Sequence, residues 1–182
     1  MRSKALLFVA VVALLAMVVV PVGAQDRAVG PITQRIIERG SLICGVNSAL
    51  PGFGSVNDAG ESSGFDVDIC RAVAAAILGD ASLVTFRPLT AAERPTVLAS
   101  GEVDMISRNT TKTLSRETDW GATFAPTTFY DGQGVMVKVA DGAASLEDLA
   151  GGTICTNAGT TTELNITDAM SSRGLDFTLQ TY

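Results

Sequence analysis

Histidine is absent from this chain of 182 residues. That absence removes the commonest general base, the commonest metal ligand and the usual pH switch together. A Ser-His-Asp or Cys-His catalyst is therefore excluded. Cysteine is scarce: Cys44, Cys70 and Cys155 are the three. Their spacing matches no metal motif, and the odd count leaves one without a partner in the chain. Basic residues are the minority, 13 against 19 acids. That balance argues against nucleic acid or an anionic membrane surface as a partner.

The one long apolar run lies at the N-terminus. Arg2 and Lys4 precede the uninterrupted apolar stretch 5–20, and Val22-Gly23-Ala24 supplies a small-residue cleavage site before Gln25. Residues 1–24 are expected to be a cleaved signal peptide. The stretch is shorter than the roughly twenty residues a membrane span needs. No cysteine follows it closely, so a lipid-anchored lipoprotein is not expected. Removing the leader takes two basic residues and no acid, so the exported chain is more acidic still. Its cysteines are expected in an oxidising compartment.

Past the leader, helix and strand patterns alternate. Residues 33–39 read as a short helix stopped by Gly40. Residues 42–46 form a short buried strand, and 56–63 a hairpin around Asn57-Asp58-Ala59-Gly60. Asp66 is the expected N-cap of a helix running to Leu78 and stopped by Gly79, with Asp68 in its first turn. Cys70, Val73, Ala74 and Ile77 recur at helical spacing and should face a sheet. Residues 83–86 form a second strand. Thr90 and Glu93 have capping-box spacing before a helix, with Pro95 in its first turns. Residues 103–106 form a third strand. Strand, helix, strand, helix, strand at these lengths is a parallel α/β layer.

The loop Ser107–Arg116 leaves the carboxyl end of that third strand, the edge where open α/β sheets bind ligands. Its hydroxyls, its Asn109 amide and the guanidinium groups of Arg108 and Arg116 suit a small anion such as a carboxylate. The same residues also suit a polar turn that caps the next helix through Thr113 or Ser115. Both readings stay open on residue chemistry alone. Beyond it, 117–130 is irregular, with Trp120, Phe124 and Phe129 as packing residues. Residues 133–139 read as a strand, 146–149 as a short helix, 153–156 as a strand, 164–172 as a helix and 177–181 as a strand.

An ordered set of motifs then carries a resemblance. Gly64-Phe65-Asp66-Val67-Asp68, Gly101-Glu102-Val103-Asp104 and Thr111-x-Thr113-x-x-Arg116 come first. Tyr130-Asp131-Gly132-Gln133-Gly134, Leu146-x-Asp148-Leu149-x-Gly151 and Gly159-Thr160-Thr161-Thr162-Glu163 follow. Together they resemble the periplasmic substrate-binding proteins of polar amino-acid ABC transporters, solute-binding protein family 3. The Ser-Arg-Asn-Thr-Thr string is most similar to the broad-specificity L-amino-acid branch.

The resemblance implies a two-lobed α/β periplasmic-binding-protein fold: lobe 1 over residues 25–132, a hinge strand over 133–139 and a partial lobe 2 over 140–182. It implies no enzyme activity and no cofactor. The partners it implies are one L-amino acid in the periplasm and an inner-membrane ABC permease, served by a monomer. Arg116 matches the arginine that clamps the ligand α-carboxylate, and Thr111 its neighbour on the same carboxylate. Asn109 matches the position whose carbonyl accepts from the ligand ammonium. Thr161 matches a backbone donor in lobe 2, with Thr160 beside it. Asn47 falls near a position that touches the ligand side chain.

Lys112 and Pro95 depart from the aromatics of this branch. The family's downstream aspartate for the ammonium has no match, so a C-terminally truncated chain is expected, with Cys155 separated from its partner. Cys44 and Cys70, on the first strand and first helix, are open either to bridging or to remaining thiols. Two other readings fit the fold: a periplasmic dehydratase of small carboxylates, and the ligand-sensing domain of a signalling receptor.

Overall fold

The computed structural model describes residues 29–182, so the expected signal peptide lies outside the described residues. The chain enters through helix α1 (Pro31–Arg39), which starts on a proline and stops at Gly40. Its Ile36 is buried. Strand β1 (Leu42–Val46) follows and is the centre of the first sheet. Strand β5 (Val84–Pro88) pairs with it in parallel from Leu42↔Val84 to Val46↔Pro88. Strand β6 (Met105–Ile106) pairs in parallel on its other side. Bonds from Asp104 N to Ile43 O and from Ser107 N to Gly45 O, both 2.9 Å, extend that second ladder at either end. A central parallel strand covered on both faces needs an unbroken apolar run, and Leu42, Cys44 and Val46 are fully buried.

Between β1 and the next helix lies a small antiparallel sheet of β2 (Ala49–Leu50), β3 (Gly54–Val56) and β4 (Ser62–Ser63). Helix α2 (Phe65–Leu78) then packs Val67, Cys70 and Ala74 onto β1, with Val73 and Ile77 beside them. Its start corrects the expected cap. Gly64, not Asp66, is the N-cap, with φ 122°. A Cβ at Gly64 would come within 2.4 Å of the Phe53 carbonyl oxygen, so only glycine fits this entry. That close approach lets the carbonyls of Gly52 and Phe53 accept from Phe65 N and Asp66 N, both at 2.9 Å. The first turn is thus satisfied by backbone, and Asp66 makes no cap bond.

The other face of the sheet carries Leu89, Val97 and Val103, packed with Ile43, Leu98 and Ile106. Val97 belongs to helix α3 (Arg94–Ala99), which has Pro95 in its first turn. The capping-box spacing is realised just before it: Thr90 N donates to Glu93 Oε2 at 2.7 Å, and Glu93 N to Thr90 Oγ1 at 3.3 Å. Asp104, its side chain 1 % exposed, accepts from Arg35 Nη2 at 3.0 Å, from Ile43 N at 2.8 Å and from Arg39 Nη2. One buried carboxylate therefore pins α1 to the sheet.

Cys44 on β1 and Cys70 on α2 are joined by a disulfide, with Cα atoms 6.1 Å apart. Cys155 is free and exposed. Closing a loop with a sequence separation of 26 should stabilise the fold by about 3 kcal/mol. We expect a non-reduced digest to yield the Cys44–Cys70 peptide pair, and C44S/C70S to lower the urea midpoint accordingly. Free thiols at both positions in the digest would refute the bridge.

Helix α4 (Leu114–Asp119) follows β6. After it come the irregular section and two short 3-10 turns, Val139–Asp141 and Glu147–Leu149. The packing residues expected there find partners: Phe129 stacks edge-on against Phe53, with centroids 4.9 Å apart, and Trp120 lies against Phe124. The strand expected over 133–139 is not formed. Met136 and Val139 are almost fully exposed, and no strand lies beside this segment among the described residues. Apolar alternation alone cannot hold a strand whose N–H and C=O groups lack a ladder partner.

A second, two-stranded parallel sheet ends the chain. Its strands β7 (Thr153–Thr156) and β8 (Thr178–Thr181) flank helix α5 (Thr161–Ser171). That helix starts before Leu164 because Thr160 caps it, Thr160 Oγ1 accepting from Glu163 N at 3.1 Å. Its Ile166 and Met170 are buried.

Candidate ligand-binding site

Thr113 decides the geometry of the loop after β6. Its extended backbone ends the loop, and its Oγ1 accepts from Arg116 N at 3.2 Å, the capping alternative of the sequence reading. The cap leaves the binding reading open, because it sets Arg116 in the first turn of α4 with its side chain folded back onto the loop. Arg116, 8 % exposed, donates through Nη1 to Thr111 O at 2.8 Å and through Nη2 to Gly159 O at 3.3 Å. Its guanidinium lies 5.0 Å from the Trp120 ring centroid.

A second arginine was not singled out in the sequence. Arg94, 1 % exposed, opens α3 at the same sheet edge. It donates to Ala91 O at 2.7 Å, to Asn109 O and Thr110 Oγ1 at 3.1 Å each, and to Gly159 O at 3.1 Å. Its guanidinium stands 5.6 Å from the same Trp120 ring. Burial first, then the like charges of Arg108 and Arg116, push it down to about 9, so it stays cationic at neutral pH. The capping box at Thr90–Glu93 located the start of α3, but a lone arginine in a helix ordinarily reads as solvated.

The remaining site residues fall around these two. Asn47, in the turn after β1, donates through Nδ2 to Asn109 Oδ1 at 3.0 Å. Arg108 donates to the same oxygen from Nε and Nη2, and to Leu89 O from Nη1. Thr111 and Thr161 join their hydroxyls at 2.9 Å. Thr160 sits beside them, but its hydroxyl is committed to the α5 cap and to Asn157 O at 2.7 Å. Asp66 is buried with Oδ2 lacking any partner. Burial raises its carboxyl above the usual range, while the charge of Arg108 opposes that rise. A separate surface cleft lined by Val56, Asn57, Arg71 and Phe86 shares none of these residues.

No carboxylate pairs with Arg94 or Arg116 among the described residues. Two buried cations share one carbonyl and pack against one aromatic ring. Such a pair is compensated best by an anion brought from outside the chain. Nor do the described residues hold any group of three or more His, Cys, Asp or Glu placed to bind a metal.

Residues 42–171 match the family model of the bacterial extracellular solute-binding proteins, family 3. The chain belongs to that family. The general L-amino acid-binding periplasmic protein AapJ of Rhizobium johnstonii is 43 % identical over 159 residues, covering 87 % of this chain and 46 % of AapJ. The glutamate/glutamine/aspartate/asparagine-binding protein BztA of Rhodobacter capsulatus is 48 % identical over 140 residues, covering 77 % of this chain and 41 % of BztA. Among solved structures, the periplasmic binding protein from Brucella ovis with glutathione bound is 48 % identical at a TM-score of 0.78, covering 85 % of this chain and 49 % of that one. The chain thus spans about half the length of these relatives. Its architecture is the α/β fold of the periplasmic binding proteins. In this family-3 chain, the loops of the first sheet and the α5 N-terminus of the second meet at Arg94 and Arg116.

Proposed function

We propose that this family-3 chain captures an L-amino acid in the periplasm for an inner-membrane ABC permease. Its two parts would be a first lobe over residues 25–132 and a partial second lobe over 140–182, with 133–139 linking them. The observation that carries the reading is the buried Arg94–Arg116 pair, which meets no carboxylate among the described residues. Arg116 is the group that grips the ligand α-carboxylate, because its planar fork matches two carboxylate oxygens. Thr111 and the backbone of Thr161 support the same carboxylate from opposite sides, with Thr160 fixing the α5 end beside them.

The Asn109 carbonyl accepts from the ligand ammonium, and Arg94 holds that carbonyl in place. Asn47 borders the ligand side chain. Capture involves no covalent step: lobe closure around the zwitterion presents the loaded receptor to the permease. The names of the relatives, which include amino-acid-binding and periplasmic proteins, support this reading.

The test is calorimetry of the exported chain with L-amino acids and with their α-carboxamides. L-Amino acids should bind and the carboxamides should not, since only the former carry the anion that Arg116 needs. Equal heats for both would overturn the assignment.

A further inference from the structure

Resting on that amino-acid reading, we infer that Asn109 sets the side-chain specificity of the site. It does so by presenting donors, which select ligands whose side chains end in a hydrogen-bond acceptor. The argument starts from which groups can only donate. A guanidinium has no acceptor. Arg108 places Nε at 3.2 Å and Nη2 at 3.0 Å from one atom of the Asn109 amide, so that atom is the oxygen. The neighbouring amide is fixed the same way. The backbone N–H of Ala49, another obligate donor, lies 3.0 Å from one atom of the Asn47 amide, which is therefore Oδ1. Its other end, Nδ2, then points at Asn109 Oδ1 at 3.0 Å. Every contact agrees on one orientation.

Three donors thus saturate Asn109 Oδ1, while its Nδ2 has no partner among the described residues. Asn109 is exposed at the ligand edge of the sheet. What it offers is an N–H pair held by Arg108, and Asn47 adds its second Nδ2 hydrogen. Arg108 in turn is anchored on the Leu89 carbonyl, so the amide cannot flip without losing two charge-assisted bonds. Donors without acceptors accept a side-chain carboxylate or carboxamide oxygen. They leave an ammonium or guanidinium side chain facing like polarity, and an aliphatic one leaves them unpaired.

The test is a calorimetric panel of L-glutamate, L-glutamine, L-leucine and L-lysine on the exported chain and on Asn109→Asp. The wild-type chain should bind glutamate and glutamine at least tenfold more tightly than leucine or lysine, one hydrogen bond to a fixed donor being worth about that factor. Asn109→Asp keeps an oxygen toward Arg108 and replaces the free N–H pair with an acceptor. It should shrink the glutamate-to-lysine ratio at least tenfold. A wild-type chain that favours leucine or lysine overturns the inference even if the variant does not fold. So does an equal loss for all four ligands, although the amino-acid reading then stands. No heat from any of the four overturns both.

Discussion

Replacing Arg116 with alanine is expected to abolish amino-acid binding, weakening it at least a hundredfold. The ligand carboxylate would enter a partly desolvated site with its fork removed, and breaking a buried charged pair costs about 3–5 kcal/mol. Arg94 cannot replace the fork, because four of its five N–H donors are committed to Ala91 O, Asn109 O, Thr110 Oγ1 and Gly159 O, leaving a single Nη2 hydrogen. The fold itself should suffer less. Gly159 O keeps its bond from Arg94, and the Thr113 cap is made by the backbone of residue 116, which alanine retains. Calorimetry and urea unfolding together separate the two effects. Arg116→Lys should recover part of the affinity, keeping the charge without the planar fork. Undiminished affinity in the alanine variant would place the carboxylate elsewhere.

Asp104→Ala, away from the site, is expected to destabilise the fold by about 3 kcal/mol. The magnitude comes from what would be stranded. Arg35 and Arg39 keep side-chain exposures of 45 % and 29 %, so both can turn to water, and their ion pairs alone would count for little. Ile43 N cannot, since it lies on the central strand between two ladders. The Asp104 carboxylate is thus the acceptor that a buried N–H depends on, as well as the anchor of α1. Urea unfolding at neutral pH measures it. A loss under about 1 kcal/mol would mean that the strand N–H finds another acceptor.

Much of this was legible in the residues, and the exceptions share a cause. Strands β1 and β7 were readable to the residue, β1 as a short apolar run after Gly40 and β7 as a β-branched stretch between the Gly151-Gly152 turn and the Gly159 loop. The Thr113 cap and the Thr90–Glu93 box were legible because capping is local chemistry. Asp66 was misplaced because its helix is capped by carbonyls of a hairpin eleven or more residues upstream, which no local pattern reveals. The segment 133–139 carries a strand-like pattern, but a strand is a property of its neighbours. Arg94 was invisible for the same reason: its burial is made by the Asn109 loop and by Gly159, 15 and 65 residues away. Of the candidate site, the residues expected from the sequence, Asn47, Asn109, Thr111, Arg116 and Thr161, lie beside one another, and the Arg94 buttress behind them was not read.

Trp120 has a use beyond packing. It is the chain's only tryptophan, and its ring packs against the guanidinium groups of both Arg94 and Arg116. Its indole emission therefore originates beside these two cations. On the proposed amino-acid reading, any redistribution of those two cations around an arriving solute would change the field across the ring, giving a built-in optical reporter of loading that needs no attached dye.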